Sequence, residues 1–224
     1  MTGPSRAVEL SDAQRICWLR LIRSDNVGPA TFRSLINHFG SAESALDALP
    51  ALARRGGSAT ISIPSVAQVE AEIERTLAHG ARLVAISEPL YPAYLRQIAA
   101  PPPLVTIRGG SRELFRRPTA AIVGSRNASL IGHKMAERIG RVLGEAGFVV
   151  VSRLARGIDG AAHRAALDTG TVAVIAGGID HVYPEEHGPL MEEIVGRGGA
   201  ILTEMPFGWA PRAKDFPRRN RIVS

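Results

Sequence analysis

The sequence predicts an α/β protein in which a parallel sheet follows a small all-helical region. Two observations in its 224 residues carry this expectation. From Thr119 onward, short apolar runs alternate with segments of helical spacing. That order implies a parallel sheet with right-handed crossovers. Between Ser11 and about Gly80, apolar residues recur at helical spacing behind serine caps.

The helical region reads in order. Ser11 caps a helix through Arg23 with Ile16, Leu19 and Ile22 on one face. Asn26-Val-Gly-Pro-Ala30 is a turn, and Thr31 to Phe39 is a second helix ended by Gly40. Ser41 starts a third, carrying Ala45, Leu46 and Leu49, with Pro50 after it. Ser65 opens a fourth that runs to His79 and stops at Gly80. These make a small helical bundle. The Val27-Gly-Pro turn resembles a helix-hairpin-helix, whose backbone N–H groups can hold a DNA phosphate, although such a turn can equally be only a connection.

Strands begin after Gly80, so domains are expected at 1–80 and 81–224. Arg82 to Ile86 and Leu104 to Arg108 are strands, the second ended by Gly109-Gly110. Ala120-Ala-Ile-Val123 is too short for a helix and reads as a buried parallel strand. Ser129 then caps a helix with Ile131, Met135, Ile139, Val142, Leu143 and Ala146 at helical spacing, stopped by Gly147. Phe148 to Ser152 is the next strand, and its loop Arg153 to Asp159 leads into Gly160–Leu167. Thr171 to Ala176 is a strand ended by Gly177-Gly178. A helix from about Pro189 to Val195 and a strand Ala200 to Glu204 complete the order.

The turn Gly124-Ser125-Arg126 lies between the carboxyl end of a strand and the amino end of a helix. Open α/β sheets bind ligands there, and free N–H groups with the helix dipole favour an anion. Arg126 replaces the second glycine of G-x-G-x-x-G, which a pyrophosphate needs for close backbone approach. Its planar fork suits phosphate oxygens instead. The loop therefore reads as a phosphate seat and not as a dinucleotide loop, with a plain strand-to-helix connection as the alternative. Parallel strands put Gly124–Arg126, Ser152–Arg153, Gly177–Gly178 and Glu204–Gly208 on one edge. Arg212, Lys214, Arg218, Arg219 and Arg221, against the one acid Asp215, form the densest basic cluster in the chain and can close over that edge. The net charge of +6 fits a polyanionic partner without establishing one.

Other classes are narrowed. The single Cys17 allows no internal disulfide and no cysteine metal cluster, and it reads as core. No apolar run approaches the ~18 residues of a membrane helix. Met1 to Leu10 lack the apolar core of a signal peptide, so a cytoplasmic protein without a membrane partner is expected. Ser152, Asp159 and His163 suggest a nucleophile set, but no Gly-x-Ser-x-Gly elbow surrounds Ser152. Asp159 is read as capping its helix and orienting His163. His181 and His187 lack a third ligand, so no metal and no catalytic residue are expected.

Taken together, Gly124-Ser-Arg, Ser152-x-x-Ala-x-Gly-Ile-Asp159, Thr171-Val-Ala-Val with Gly177-Gly, Tyr183-Pro184, Thr203-Glu-x-Pro206 and Phe216-Pro-x-Arg-Asn-Arg-Ile222 resemble the DprA/Smf family of DNA-processing proteins. The likeness covers about Leu83 to Ser224, and the helical N-terminus is similar to that family's sterile-alpha-like domain. The resemblance implies an extended Rossmann-like fold that binds single-stranded DNA without a cofactor, protects incoming DNA in natural transformation and helps load RecA recombinase. It implies phosphate contacts at Gly124, Ser125 and Arg126, and at Lys214, Arg218, Arg219 and Arg221. Ser152, Arg153, Gly177, Gly178 and Asn220 fall on the same expected surface. Phe216 is a candidate for base stacking, with core anchoring of its loop as the equal alternative. The family's fold continues past Ser224, and the homodimer surface is expected in that continuation.

Two positions depart from the family pattern. Arg153 stands where a glycine is usual, and His187 stands where an asparagine is usual. The competing reading is a nucleotide-processing Rossmann enzyme of the lysine-decarboxylase-like class. That class needs Pro-Gly-Gly-x-Gly-Thr with a nearby glutamate, and this chain has only Ala176-Gly-Gly-Ile-Asp180. In a third reading the helical bundle docks a protein partner.

Overall fold

The computed structural model describes residues 9–57 and 60–223. Four helices come first: α1 (Asp12–Arg23), α2 (Pro29–Phe39), α3 (Ala42–Arg55) and α4 (Val66–Ala78). Their starts follow from local chemistry. Ser11 with Gln14 and Ser65 with Gln68 form reciprocal capping boxes, each satisfying two amides that have no intrahelical partner. Pro29 opens α2, where its missing N–H costs nothing, and Gly40 closes it at φ +78°. Phe32, Leu35, Ala45, Leu46 and Leu49 pack with Leu21 in one core, and Trp18 meets Phe32 edge-on at 5.1 Å.

The third helix does not stop at Pro50 as expected; it continues to Arg55. A proline inside a helix costs roughly 3 kcal/mol. Leu46 and Leu49 before it are buried in the bundle core and Leu52 after it packs on the same core, and that burial outweighs the lost hydrogen bond.

The sheet has six strands in the order β1-β2-β6-β5-β4-β3. They are β1 (Ala81–Ala85), β2 (Leu104–Gly109), β3 (Thr119–Ala121), β4 (Val149–Arg153), β5 (Thr171–Val174) and β6 (Ala200–Thr203). The pairs β3–β4, β4–β5 and β5–β6 are parallel, and β2 runs antiparallel to both β1 and β6. Helices α5 (Leu130–Glu145), α6 (Ile158–Ala165), α7 (Gly188–Gly196) and α8 (Asp215–Val223) complete the fold. Burial on both faces explains the apolar run of β5 after Thr171. Val172 and Val174 join one core with Val149, Leu202 and Val223, while Ala173 and Ile175 join the other with Met191 and Ile194 of α7.

The bundle is packed onto the sheet. Leu19 and Val69 share a core with Leu83, Ala85 and Leu104. The Arg23 guanidinium pairs with Glu72 at 2.8 Å and donates to the Glu204 carbonyl at 2.9 Å, joining α1 and α4 to the end of β6. The edge of β1 is also closed. Arg15 donates to the Leu83 carbonyl at 2.8 Å and pairs with Glu88, whose carboxylate accepts from the Ala85 amide at 3.1 Å.

Two other expectations are corrected. The apolar stripe of α5 faces outward: Ile131 is 77% exposed and Met135 52%. The buried face is Ala136, Gly140 and Gly144, because α5 lies close against α6 and the turn after it. A Cβ at Gly144 would stand 2.0 Å from Thr169 Oγ1. The basic C-terminal cluster is a helix, α8, with Pro217 in its tolerant first turn. Among the described residues no helix is long and apolar enough to cross a membrane.

Candidate nucleic-acid interface

The parallel strands β3, β4, β5 and β6 bring their carboxyl ends to one edge, and the turn after β3 is locked there. A Cβ at Gly124 would stand 2.6 Å from Ile158 Cγ1, and one at Gly157, whose φ is +74°, would stand 2.2 Å from the Ser125 carbonyl. The Ile158 amide donates to that carbonyl at 3.2 Å. Asp159, fully buried, accepts from the Gly124 amide at 3.2 Å and from Arg153 Nε at 2.8 Å. Arg153 also donates to the Gly124 carbonyl at 3.2 Å. Burial pushes the Asp159 carboxyl above its ordinary value, against the downward pull of Arg153 and the Gly124 amide. The glycines thus permit two loops to interlock around one carboxylate.

This changes the expected seat. The Gly124 amide is committed to Asp159, and the Gly178 amide donates to the Trp209 carbonyl at 2.8 Å. Neither is a free donor for an anion. Ser125 and Arg126 project from the turn and are exposed. Ser129 caps α5 through the Gly132 amide at 3.1 Å. The Ser152 hydroxyl lies wholly inside the sheet and donates to the Ile122 carbonyl, so it faces no ligand. Gly177 and Gly178 are buried, and a Cβ at Gly178 would meet the Pro206 carbonyl at 2.5 Å.

Helical periodicity divides the basic cluster. Arg218 and Arg221 share one side of α8 and both pair with Glu204, which is nearly buried. Their charges are largely spent holding α8 to the end of β6. Phe216 and Arg219 share another side and face the sheet edge. Arg219 is only 6% exposed, donates to the Val174 carbonyl and to Asn220 Oδ1, and has no ion pair among the described residues. Burial lowers its pKa to about 10, still charged at neutral pH. Lys214 and Asn220 are exposed. Asp215 accepts from Trp209 Nε1 and the Arg212 amide, both at 2.9 Å. Burial raises that carboxyl, but these bonds and the Arg212 charge hold it below its ordinary value.

Between the turn and α8 lies a cavity of about 180 Å³. Its rim is Arg126, Arg156, Tyr183 and Phe216; its floor is Leu154, Ile175, Ala176 and Arg219. Tyr183 and Phe216 rings stand 5.6 Å apart, and the Arg126 guanidinium lies 5.6 Å from the Phe216 ring centre. No carboxylate lines this cavity among the described residues. Of the expected residues, Arg126, Gly177, Phe216 and Arg219 meet here. Tyr183, which the sequence offered only as part of the family pattern, and Arg156 join them. A larger groove of about 810 Å³, between α1, α4 and β1, is lined by Glu9, Asp12, Glu70, Glu74 and Glu88 against Arg15, Arg82 and Arg112, a net acidic balance that suits phosphate less well.

The two departures and the inner histidine have defined places. Arg153 is bonded to Asp159. His187 is buried with Nδ1 3.1 Å from the Leu154 carbonyl, fixing the loop that floors the cavity. His163 is oriented by Thr171 and not by Asp159. Thr171 gives its hydroxyl proton to the Val150 carbonyl at 2.8 Å, so His163 Nδ1, 2.7 Å from that oxygen, must be the donor. Nε2 is buried with no hydrogen-bond partner at bonding distance.

Comparison with known proteins follows this geometry. Residues 82–224 match the family described as DNA recombination-mediator protein A, and residues 12–74 match the DprA-like N-terminal HHH domain. The chain is 31% identical to Protein Smf of Synechocystis over 227 residues, covering 96% of this chain and 57% of that protein. It is 40% identical to DNA processing protein DprA of Streptococcus pneumoniae over 141 residues, 62% of this chain and 49% of that one. The chain thus spans about half the length of the curated relatives it matches. The X-ray structure of the Streptococcus pneumoniae protein superposes with a TM-score of 0.62 at 35% identity, over 71% of this chain and 54% of that one. The DNA processing protein A of Helicobacter pylori, described for its single-stranded DNA binding mode, gives a TM-score of 0.57 at 26% identity, with 64% of each chain covered.

Proposed function

Because the chain belongs to the DprA/Smf family of DNA-processing proteins, we propose that it binds single-stranded DNA along the carboxyl edge of its sheet. One observation carries the reading: a cavity of arginine and aromatic side chains, without a carboxylate among its described lining, at the strand ends. Arg126 and Lys214 are the accessible cations for backbone phosphates, and Ser125 adds a hydroxyl. Phe216, with Tyr183 beside it, offers a stacking face, which tolerates any base because every base has a π-face. Arg153, Arg218 and Arg221 act through structure, by holding Gly124 and α8 in place. Protection of incoming DNA in transformation, loading of RecA recombinase, homodimer formation and a cytoplasmic location belong to the same reading and rest on family membership. The nucleotide-processing alternative loses support from the same cavity, since that class needs a glutamate beside its ligand.

Titrating a labelled oligothymidine by fluorescence anisotropy at low and moderate salt tests this. With two or three phosphates neutralised, log Kd should rise with log salt at a slope of about 1.5 to 2, since each single-strand contact contributes ~0.7. Duplex DNA should compete weakly and ATP hardly at all. Displacement by ATP at low concentration, with a flat salt response, would instead favour a nucleotide site.

A further inference from the structure

We propose that the cavity beneath Arg126 takes a phosphate monoester: the terminal phosphate of a strand, or of a free mononucleotide. The proposal rests on the reading of this edge as a nucleic-acid site and goes beyond it, since internal phosphates are diesters. The floor holds a guanidinium with no ion pair among the described residues: the carboxylate that acts on it at longer range, Asp159, is already bonded to Arg153 and to the Gly124 amide. Arg219 is 6% exposed, its assigned acceptors are a carbonyl and an amide oxygen, and no carboxylate lines the cavity among the described residues. Burying an unpaired cation is costly, and an anionic ligand removes that cost. The remaining floor, Leu154, Ile175 and Ala176, is apolar and almost inaccessible, which strengthens charge interactions there.

Geometry then favours a chain end. The cavity narrows from an exposed rim, with Tyr183 at 52% exposure, to this buried floor. A continuous strand would have to enter and leave through the same rim to bring a diester to Arg219, whereas a terminus enters once. A volume of about 180 Å³ is too small for a length of strand. Charge points the same way. A monoester carries about −1.5 to −2 at neutral pH against −1 for a diester, so it better matches Arg219 and Arg126 together.

The test compares oligothymidines bearing a 5′-phosphate, a 3′-phosphate or neither, by anisotropy on the whole chain, with thymidine monophosphate and thymidine as competitors. One phosphorylated oligonucleotide should bind about tenfold more tightly than the unphosphorylated one, the scale of an added charge-assisted contact. That ratio should shrink below pH ~6, where the monoester dianion takes up a proton and falls to a single charge. It should also fall toward unity in Arg219→Met, which keeps volume and removes charge. Displacement by thymidine monophosphate but not thymidine, without an end preference, would support the monoester and assign it to a free nucleotide. Equal affinities for all three oligonucleotides, with no competition by thymidine monophosphate, would overturn the proposal while leaving single-strand binding intact. Failure of every oligonucleotide to bind, with the nucleotide also inert, would overturn both.

Discussion

Asp159→Ala should lower stability by about 3 kcal/mol, measured as a loss in urea-unfolding free energy. The cost comes from what the substitution leaves behind. Asp159 is fully buried and is the partner of Arg153, whose side chain is 22% exposed. It is also the acceptor for the Gly124 amide. Removing the carboxylate strands a largely buried guanidinium and an amide together. Burial already pushes the Asp159 carboxyl up, so the pair is no net gain over apolar packing; only its one-sided loss is expensive. The double substitution Asp159→Ala, Arg153→Leu should therefore recover at least half of the lost stability. A single-variant loss within ~0.5 kcal/mol, the range of ordinary surface changes, would show that the two loops hold without their shared carboxylate.

Acid should destabilise the protein through His163. Burial lowers its pKa from 6.5 to about 4, because the charged imidazolium has no solvent, and the upward pull of the Arg153 backbone only partly offsets this. The unfolded chain takes the proton first, so this contribution is fully present above pH 6.5 and is lost as pH falls toward 4. The full loss is about 3 kcal/mol, from a shift worth ~1.4 kcal/mol per unit. Urea-unfolding free energies across that interval should show the slope in the wild type and a flatter one in His163→Gln. Equal slopes in the two proteins would mean that His163 is protonated in the folded state at its ordinary value.

What the sequence revealed and what it hid follow from the range of the interactions involved. Ser11 with Gln14, Ser65 with Gln68, and Gly40 mark helix ends because capping acts over three or four residues. The parallel strands were legible as short apolar runs, although β3, expected to be buried, is an edge strand with Thr119 and Ala121 exposed, and the strand-to-helix turn was legible at Gly124–Arg126. The face that α5 buries was not. Ile131 and Met135 have the right spacing, but close approach to α6 selects Ala136, Gly140 and Gly144. Periodicity of large apolar residues carries no sign of that. Pro50 misled because tertiary burial on both sides of it outweighs its local penalty.

The candidate site was half legible for the same reason. Arg126, Phe216 and Arg219 could be picked out as cationic or aromatic. That Arg218 and Arg221 are occupied by Glu204, on the segment that follows β6, is a tertiary fact. So is the meeting of Tyr183 with Phe216, and so is the use of the Gly124 amide by Asp159. The floor of free backbone donors expected from strand-turn-helix chemistry is replaced by side-chain cations.

The most direct measurement is the dissociation constant of a labelled oligothymidine for wild type and Arg126→Ala, each across a series of salt concentrations. Arg126 is exposed and forms no ion pair among the described residues, so its removal should leave the fold unchanged. The expected result is about a tenfold rise in Kd at low salt. The magnitude of the log-log salt slope should also fall by about 0.7, one phosphate contact fewer. Arg126→Lys should recover only part, because an ammonium cannot make the bidentate fork. An unchanged Kd and an unchanged slope in a folded Arg126→Ala protein would contradict a phosphate seat at this edge.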